Sequence, residues 1–278
     1  MSNFVMPPTG FGPGSQPLGD EDKELEYMPM PQDMRTYTPR IPDVAEDTDV
    51  SAAMALMAEV GHACQEIALR GGSKSFDLTG LDAANLALVA ETMGEGEVSV
   101  KIWGLPALAA QESVFAGVWR VRGDGVDRIE VAAVPQAARA RAFVPRKPSA
   151  GSQAVKGMGV VNGPAIAVEL EEKSSLYGTE AEMHVVNLTL LPHTEQDLEW
   201  LESALGQGSV MLLSRGYGNC RVTATGLPHV WRVQFYNSMD VLILDTFEVT
   251  DMPEVVLAAN EDLVDSGERI HEVLEALK

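Results

Sequence analysis

Residues 86–98 read LALVAETMGEGEV, and residues 198–210 read LEWLESALGQGSV. The second stretch follows the first by 112 positions. The same offset carries the segment VWRV at 118–121 onto the segment VWRV at 230–233 without a gap. Because a constant offset over this distance is typical of an internal repeat, the sequence predicts two copies of one small domain. Residues that both copies share are therefore expected to serve the fold before they serve a site.

Each copy has the same predicted order of elements. A helix with a buried stripe is followed by a short strand, a second helix and then a run of strands with turn residues between them. The strands predicted in the first copy include 98–103, 113–122 and 128–134. The sequence therefore predicts an α+β fold made of two tandem copies of a small domain. Each copy is expected to hold a mostly antiparallel sheet with helices on one face.

Four segments follow from composition and periodicity. Residues 1–48 hold eight prolines and little apolar periodicity, which predicts a disordered or loosely docked N-terminal arm. Residues 49–135 form the first repeat domain. Residues 136–162 carry five Lys and Arg residues with two prolines and several glycines, which predicts a basic linker. Residues 163–278 form the second repeat domain, and an apolar stripe after Asn260 predicts a terminal helix.

The net charge of −21 is concentrated at the two ends of the chain. Residues 1–50 contribute −7 and residues 240–278 contribute −9. Such a chain repels phosphate backbones, so nucleic acid is not an expected partner. Basic peptides or basic protein surfaces suit it better. The alternative is that the acidic residues only aid solubility.

Cysteine usage and hydropathy set further limits on function. Two cysteines, Cys64 and Cys220, cannot build a disulfide framework or a four-thiolate metal site, and each is expected to be a small core residue. No segment resembles a signal peptide or reaches the roughly 20 apolar residues that span a bilayer. We therefore expect a cytoplasmic protein without membrane insertion. No metal site and no cofactor are expected, because no two histidines have a metal-like spacing.

Two shared motifs have both a structural and a functional interpretation. The Gly-x-Gly pairs at 94–96 and 206–208 follow a helix and precede a strand, which is the reverse of a phosphate-binding loop, so they are predicted to be helix caps and turns. The pairs Trp119-Arg120 and Trp231-Arg232 alternate along strands. Trp inward and Arg outward is the simpler interpretation, and a protein-binding hot spot is the alternative.

Functional residues are better sought where the copies differ. No nucleophile motif appears, so no catalytic residue is predicted, although an unrecognised hydrolase site stays a third possibility. The copy-specific segments are the loop SRGYGNC at 214–220, the apolar and acidic block that begins at Pro253, and the N-terminal arm. The candidate partner-binding residues are Phe11, Arg215, Tyr217, His229, Trp231, Pro253, Glu254, Glu261 and Asp262.

Several segments together resemble one known family, the HupH/HyaF/HoxQ hydrogenase maturation proteins. The segments that carry the resemblance are 12–17, 93–100, 119–122, 187–189, 216–218, 224–227, 229–231 and 253–266. The block PEVVLAANEDLVDS at 253–266 is the most specific of them. The resemblance covers nearly the whole chain except the linker, and the HoxQ branch is the expected nearest one.

The resemblance implies a non-enzymatic maturation chaperone. Its client would be the precursor of the iron–sulfur small subunit of an uptake [NiFe] hydrogenase, held before twin-arginine export. A thioredoxin-like protein of the HoxO/HyaE type is the second partner that the resemblance implies. The alternative function is a scaffold or carrier that protects or delivers an iron–sulfur cluster. The resemblance transfers no binding residues, so the candidates above rest on copy-specificity alone.

Overall fold

A single antiparallel sheet of ten strands organises the chain. The computed structural model describes residue 42, residues 48–178, residues 183–215 and residues 219–278. The strands are β1 (Ser73–Asp77), β2 (Val98–Ile102), β3 (Leu108–Glu112), β4 (Val118–Gly123), β5 (Val126–Ala132), β6 (His184–Asn187), β7 (Val210–Ser214), β8 (Asn219–Ala224), β9 (Val230–Tyr236) and β10 (Leu242–Val249). The helices are α1 (Ser51–Arg70), α2 (Ala83–Met93), α3 (Gln136–Arg141), α4 (Gly163–Leu176), α5 (Glu195–Leu205) and α6 (Asn260–Ala276), with 3₁₀ turns at Leu188–Leu190 and Glu254–Val256.

The strand order shows how the two copies are joined. It runs β1-β5-β4-β3-β2-β7-β8-β9-β10-β6, so the order in the second half is the reverse of the order in the first. Strands β2 and β7 form the seam, and Val100 pairs with Leu212, its own repeat equivalent. An antiparallel pair centred on equivalent residues places a local two-fold axis through the seam. The two copies are therefore related by pseudo-two-fold symmetry within one sheet.

The α+β class and the antiparallel strands are as predicted, and the separate sheets are not. The sequence predicted one sheet for each copy, whereas the structure pairs the two copies along β2 and β7. The predicted strand at 113–122 is also corrected. Strand β3 ends at Glu112, and residues 113–117 turn the chain before β4, because the Ser113 hydroxyl accepts the Phe115 N–H and Gly117 has a positive φ of 76°.

Three apolar cores cover the two faces of the sheet. On one face, α1, α2 and α6 pack against β1, β4 and β5, while α4 and α5 pack against β6, β9 and β10. We call this the helix face. The opposite face carries one core that both copies share, built around Trp119 and Trp231, and we call it the tryptophan face. Both tryptophans are 0% exposed.

The arginines beside the tryptophans lie on the helix face, as strand alternation predicts. Arg120 makes a bidentate ion pair with Asp127, at 3.1 and 2.9 Å. Its repeat equivalent Arg232 pairs in the same way with Asp245, at 3.0 and 2.6 Å. The Trp-Arg motif is therefore an architectural unit in each copy, with the indole in the core and the guanidinium held by a carboxylate from the next strand.

The Gly-x-Gly pairs serve as helix caps and tight turns, which confirms their structural interpretation. Gly94 and Gly206 end α2 and α5 with φ of 54° and 69°, in the left-handed region that favours glycine. A Cβ on Gly96 would lie 2.1 Å from the Ser113 carbonyl oxygen, and one on Gly208 would lie 2.3 Å from that of Ala142. Neither position has room for a side chain.

The segment 136–162 is more ordered than a simple linker. It begins with helix α3, and Ala138 and Ala142 are fully buried in the core of the tryptophan face. The chain then crosses to the helix face, where the Lys147 backbone pairs with Gln207 and the Trp200 indole N–H donates to the Ala154 carbonyl. The small apolar side chains of Ala138 and Ala142 allow the close packing of this segment in the core of the tryptophan face.

The terminal helix α6 belongs to the second copy in sequence and to the first copy in packing. Leu263, Ile270 and Val273 form the buried stripe that the sequence predicts. They pack against α1, in the core of the first copy. The Ser266 hydroxyl donates to the Ala116 carbonyl at 3.0 Å. A Cβ on Gly267 would lie 2.8 Å from the Gly61 carbonyl oxygen, so α1 and α6 touch backbone to backbone. Helix α6 therefore ties the end of the chain to its first half.

Buried polar residues anchor the second helix of each copy to the first. Asp197, in the first turn of α5, is fully buried and accepts N–H groups from Val161 (2.7 Å), Gly163 (2.8 Å) and Thr194 (3.0 Å). Burial alone would raise the pKa of the Asp197 carboxyl, but these backbone donors outweigh it and hold the pKa well below its usual range. Its repeat equivalent is Asn85, which accepts the Ala53 N–H at 2.7 Å.

Replacing Ile270 with alanine is expected to destabilise the whole sheet through the first copy's core. The variant removes a fully buried side chain between α6 and α1, and such changes cost about 2–5 kcal/mol. Urea unfolding gives the free energy of unfolding. The matched control Glu268→Ala, on the exposed side of α6, is expected to stay within about 0.5 kcal/mol of the wild type. A loss below about 0.5 kcal/mol for Ile270→Ala would contradict the packing of α6 on α1.

Replacing Asp197 with asparagine is expected to cost about 1–3 kcal/mol at pH 7, because an amide NH₂ would face a backbone donor. The lowered folded-state pKa adds a pH signature. The carboxylate's contribution is complete above the unfolded pKa of about 4 and is lost as the pH falls towards the folded pKa. The stability difference between wild type and Asp197→Asn should therefore shrink below about pH 4. A difference that stays constant in acid would contradict this role, and Glu199→Gln, exposed on α5, is the control.

Candidate partner-binding site

Two cavities meet at one end of the β2–β7 seam. Cavity 1, of about 280 Å³, lies on the tryptophan face, and cavity 2, of about 530 Å³, reaches the helix face. Both are lined by Ser214 and Cys220, which pair across β7 and β8. Ser214 and Cys220, at the facing ends of β7 and β8, therefore stand between the two cavities. We call the two cavities together the junction site.

Cavity 1 is acidic along one side and apolar along the other. The carboxyl groups come from Glu97, Glu112 and Asp262, and the apolar lining includes Phe235 and residues 255–258 of the C-terminal block. Glu112 is buried and accepts the Gly117 N–H at 3.0 Å. Burial raises the pKa of the Glu112 carboxyl above its usual range, and this backbone hydrogen bond opposes the rise only in part. A cationic group in the cavity would stabilise the ionised form of Glu112 and so offset the free-energy cost of burying that carboxyl.

The C-terminal block forms the wall of cavity 1 and is held by the first copy. Pro253 is buried at the start of the 3₁₀ turn, and the Ala258 N–H donates to the Ala133 carbonyl at 3.0 Å. Helix α6 then begins, with Glu261 and Asp262 exposed in its first turn. Carboxylates at a helix N-terminus are favoured by the helix dipole. The block thus places acidic side chains at the cavity mouth on a fixed backbone.

Cavity 2 opens beside an apolar hairpin tip. The β9–β10 hairpin is six residues longer than its first-copy counterpart. Its tip, defined as residues 237–243, includes the first two residues of β10 and is closed by Asn237 and by Asp240 with a positive φ of 57°. The side chains of Met239, Val241 and Ile243 are 77%, 53% and 56% exposed. Asn219, the first residue of β8, is tied to the tip, because its side-chain amide donates to Asp240 at 2.8 Å. An exposed apolar group of this kind suits contact with another protein.

The cysteine in the site is a poor nucleophile and a poor metal ligand. Cys220 is buried, and burial raises the pKa of its thiol to about 12. Cys64, in the first copy's core, behaves in the same way, and its pKa is also raised to about 12 by burial. In the part of the chain that the structure describes, no three His, Cys, Asp or Glu side chains meet in a group that could hold a metal ion.

The structure brings some of the predicted site residues together. Asp262 lines cavity 1 and Arg215 lines cavity 2. The backbone N–H of Arg215 donates to the Glu97 carbonyl at 3.1 Å. Glu254 and Glu261 are exposed on the same C-terminal block as Asp262. Tyr217 and Phe11 lie outside the described residues. Sequence reasoning missed Glu97, Glu112 and the hairpin tip. The extra length of that hairpin was the one available signal for the tip.

Two predicted site residues lie elsewhere. Trp231 is fully buried on the tryptophan face and offers no surface for direct contact. The His229 ring contacts the rings of Tyr177 and Phe143 in tilted arrangements, with ring centroids 4.4 and 5.5 Å away. Its φ is 62°, whereas the first copy has a glycine, Gly117, at the equivalent position with a similar φ. A non-glycine residue in this region is strained, so the aromatic contacts hold His229 in an unfavourable backbone conformation.

None of the helices in the described ranges combines the length and apolar content needed to cross a bilayer. The longest, α1, has 20 residues and carries charged and polar side chains along its exposed side.

Comparison with known proteins places the chain in a family. The model of the HupH hydrogenase expression protein, C-terminal conserved region, matches twice, at residues 50–143 and 160–277. These two matches coincide with the two halves of the sheet.

Full-length relatives agree with the family model. The chain is 61% identical over 279 residues to the hydrogenase expression/formation protein HupH of Rhodobacter capsulatus, covering 100% of both chains. It is 40% identical to HoxQ of Cupriavidus necator, covering 99% of this chain and 98% of that one. It is 32% identical to the hydrogenase-1 operon protein HyaF of Escherichia coli, covering 96% and 95%. The expected nearness to the HoxQ branch is therefore corrected, since the similarity to this HupH is higher. The chain belongs to the HupH hydrogenase expression protein family.

Proposed function

We propose that this chain is a non-enzymatic maturation factor that binds the precursor of the iron–sulfur small subunit of an uptake [NiFe] hydrogenase before twin-arginine export. The relatives are named for hydrogenase expression and formation, which supports a role in hydrogenase assembly. The client and the export step are our extension. A cytoplasmic location follows from that extension, because export signals are bound before translocation.

The observation that carries the proposal is the composition of the junction site. Export signals combine basic residues with an apolar stretch that follows them. Cavity 1 offers the carboxylates of Glu97, Glu112 and Asp262, and the hairpin tip beside cavity 2 offers exposed Met239 and Ile243. Guanidinium groups form strong bidentate hydrogen bonds with carboxylates. A segment with arginines followed by apolar residues therefore matches the site in both charge and hydropathy.

The alternative function, an iron–sulfur cluster carrier, has less support. Clusters are held mainly by cysteine thiolates. Both cysteines of the chain are buried with their thiol pKa values raised to about 12, which opposes thiolate formation. A second partner, the thioredoxin-like HoxO/HyaE-type protein, stays part of the proposal without a residue assigned to it.

Co-purification from hydrogenase-expressing cells tests the proposal. Tagged wild-type chain is expected to retain the small-subunit precursor. The variant Glu97→Lys/Asp262→Lys changes two exposed carboxylates of cavity 1 and is expected to retain at least about tenfold less, because two attractive charges become repulsive. The control Glu59→Lys/Glu272→Lys makes the same change of net charge on exposed positions of α1 and α6.

The two parts of the proposal fail in different ways. Absence of the precursor from the wild-type preparation would contradict the function. Equal retention by Glu97→Lys/Asp262→Lys and by the control would contradict the junction site while leaving the function standing. Bound iron and sulfide on the isolated wild-type chain would favour the carrier alternative.

A further inference from the structure

The helix face leaves four central strands uncovered. The core under α1, α2 and α6 draws its sheet residues from β1, β4 and β5, and the core under α4 and α5 draws them from β6, β9 and β10. Within the described part of the chain, no residue of β2, β3, β7 or β8 belongs to either of these cores. The two helix layers therefore stand apart, and the seam strands form the floor of a trough between them.

The strand registers define the floor of this trough. One row across the sheet runs Arg122, Ala109, Lys101, Met211, Thr223 and Arg232, and the neighbouring row runs Arg120, Gln111, Ser99, Leu213, Arg221 and Gln234. A cavity of about 350 Å³ occupies the first-copy end, between these strands and residues 90–95, which form the end of α2 and the turn after it. Cavity 2 occupies the other end, at Leu213 and Arg221. All of the floor residues are half-buried or exposed.

The floor is basic in a chain of net charge −21. Arg120 and Arg232 are held by Asp127 and Asp245, but three cations are not neutralised in this way. Among the described residues, no carboxylate lies within ion-pair distance of Lys101 or Arg221. Arg122 is 60% exposed and lies 3.9 Å from Asp127, which Arg120 already binds. Glu95, two residues after α2, lines the cavity at the first-copy end, and Asp240 lines cavity 2 at the other end.

Apolar side chains alternate with these cations. Met211 and Leu213 lie half-buried at the seam, directly opposite Lys101 and Ser99. Such a surface matches an amphipathic segment that has an apolar stripe and acidic flanks. A purely acidic chain would leave the apolar groups unmatched, and a purely apolar one would bury the cations without partners.

Geometry favours a helix over an extended segment. All four floor strands are already paired on both sides, so none offers the free edge that an added β-strand needs. Four strands at a spacing of about 4.8 Å span about 14 Å. An α-helix with its side chains is about 10–12 Å across, which fits between the two helix layers.

From these observations we infer that the trough between the two helix layers is a docking groove for an acidic amphipathic helix of a partner protein. The helix would lie over β2 and β7, with its apolar stripe on Met211 and Leu213 and its carboxylates on Lys101, Arg122 and Arg221. This groove has the opposite charge from cavity 1. A basic client segment in cavity 1 and an acidic partner helix over the seam would therefore bind sites of opposite charge that adjoin at cavity 2.

A pair of designed peptides tests the inference without knowledge of the partner. The probe is a capped peptide of about 18 residues, long enough to be helical, with leucines spaced three and four apart and glutamates on the other face. Its counterpart carries lysine in place of every glutamate. Fluorescence anisotropy is measured on the full chain at low and moderate salt. The glutamate peptide is expected to bind, to weaken as salt rises, and to bind at least about tenfold more tightly than the lysine peptide.

Variants locate the binding. Lys101→Glu/Arg122→Glu changes two exposed cations of the groove and is expected to weaken binding of the glutamate peptide about tenfold. Arg70→Glu/Lys278→Glu makes the same change of net charge at two exposed positions, the last residue of α1 and a residue just after α6, and is expected to leave the peptide affinity unchanged. Circular dichroism verifies that both variants are folded.

Three outcomes would overturn the inference. They are no binding of the glutamate peptide, equal binding of both peptides, or equal losses in the groove and control variants. Sedimentation of the chain alone tests the remaining alternative, in which a second copy of this chain occupies the groove. A dimer that Lys101→Glu/Arg122→Glu converts to monomer would assign the groove to a second copy of this chain instead of a partner helix.

Discussion

The pairing of β2 with β7 is the interaction on which the rest of the structure depends. It joins Val100 to Leu212, so each copy contributes the equivalent position to the centre of the sheet. An isolated copy would leave this strand as a free edge, with unpaired backbone groups that invite aggregation. Joining the copies edge to edge removes both edges at once. It also unites Trp119 and Trp231 in a single core on the tryptophan face.

The two copies depart from this symmetry in two places, the segment after the last strand and the β9–β10 hairpin. The segment after Pro135 forms α3 and leads to the second copy, whereas the segment after Pro253 forms a 3₁₀ turn and leads to α6. Because α6 returns to cover α1, the last copy stabilises the first. The same return lays residues 255–258 across the end of the seam and encloses cavity 1. The lengthened β9–β10 hairpin adds its apolar tip beside cavity 2. Both departures from the repeat converge on the junction site.

How much of this was predictable depends on whether a feature is local. The caps at Gly94 and Gly206, the inward tryptophans and the stripe of α6 follow from periodicity and turn chemistry, and they were predicted. Strand β3 reads LAAQE, with little β-propensity, and it forms because β2 and β4 flank it. The seam was not predictable, since an edge strand and a seam strand have the same alternation. Arg215 and Asp262 were predicted from copy-specificity, whereas Glu112 enters the site only through long-range packing.

Amide hydrogen exchange of the seam strands is the most direct test of this account. If the copies share one sheet, peptides that cover residues 98–102 and 210–214 should exchange as slowly as those of β4 and β9, through global unfolding. The true edges, β1 and β6, should exchange faster. Exchange of both seam strands at the rate of β1 and β6 would contradict the account, because it would mean that the two copies fold as separate sheets.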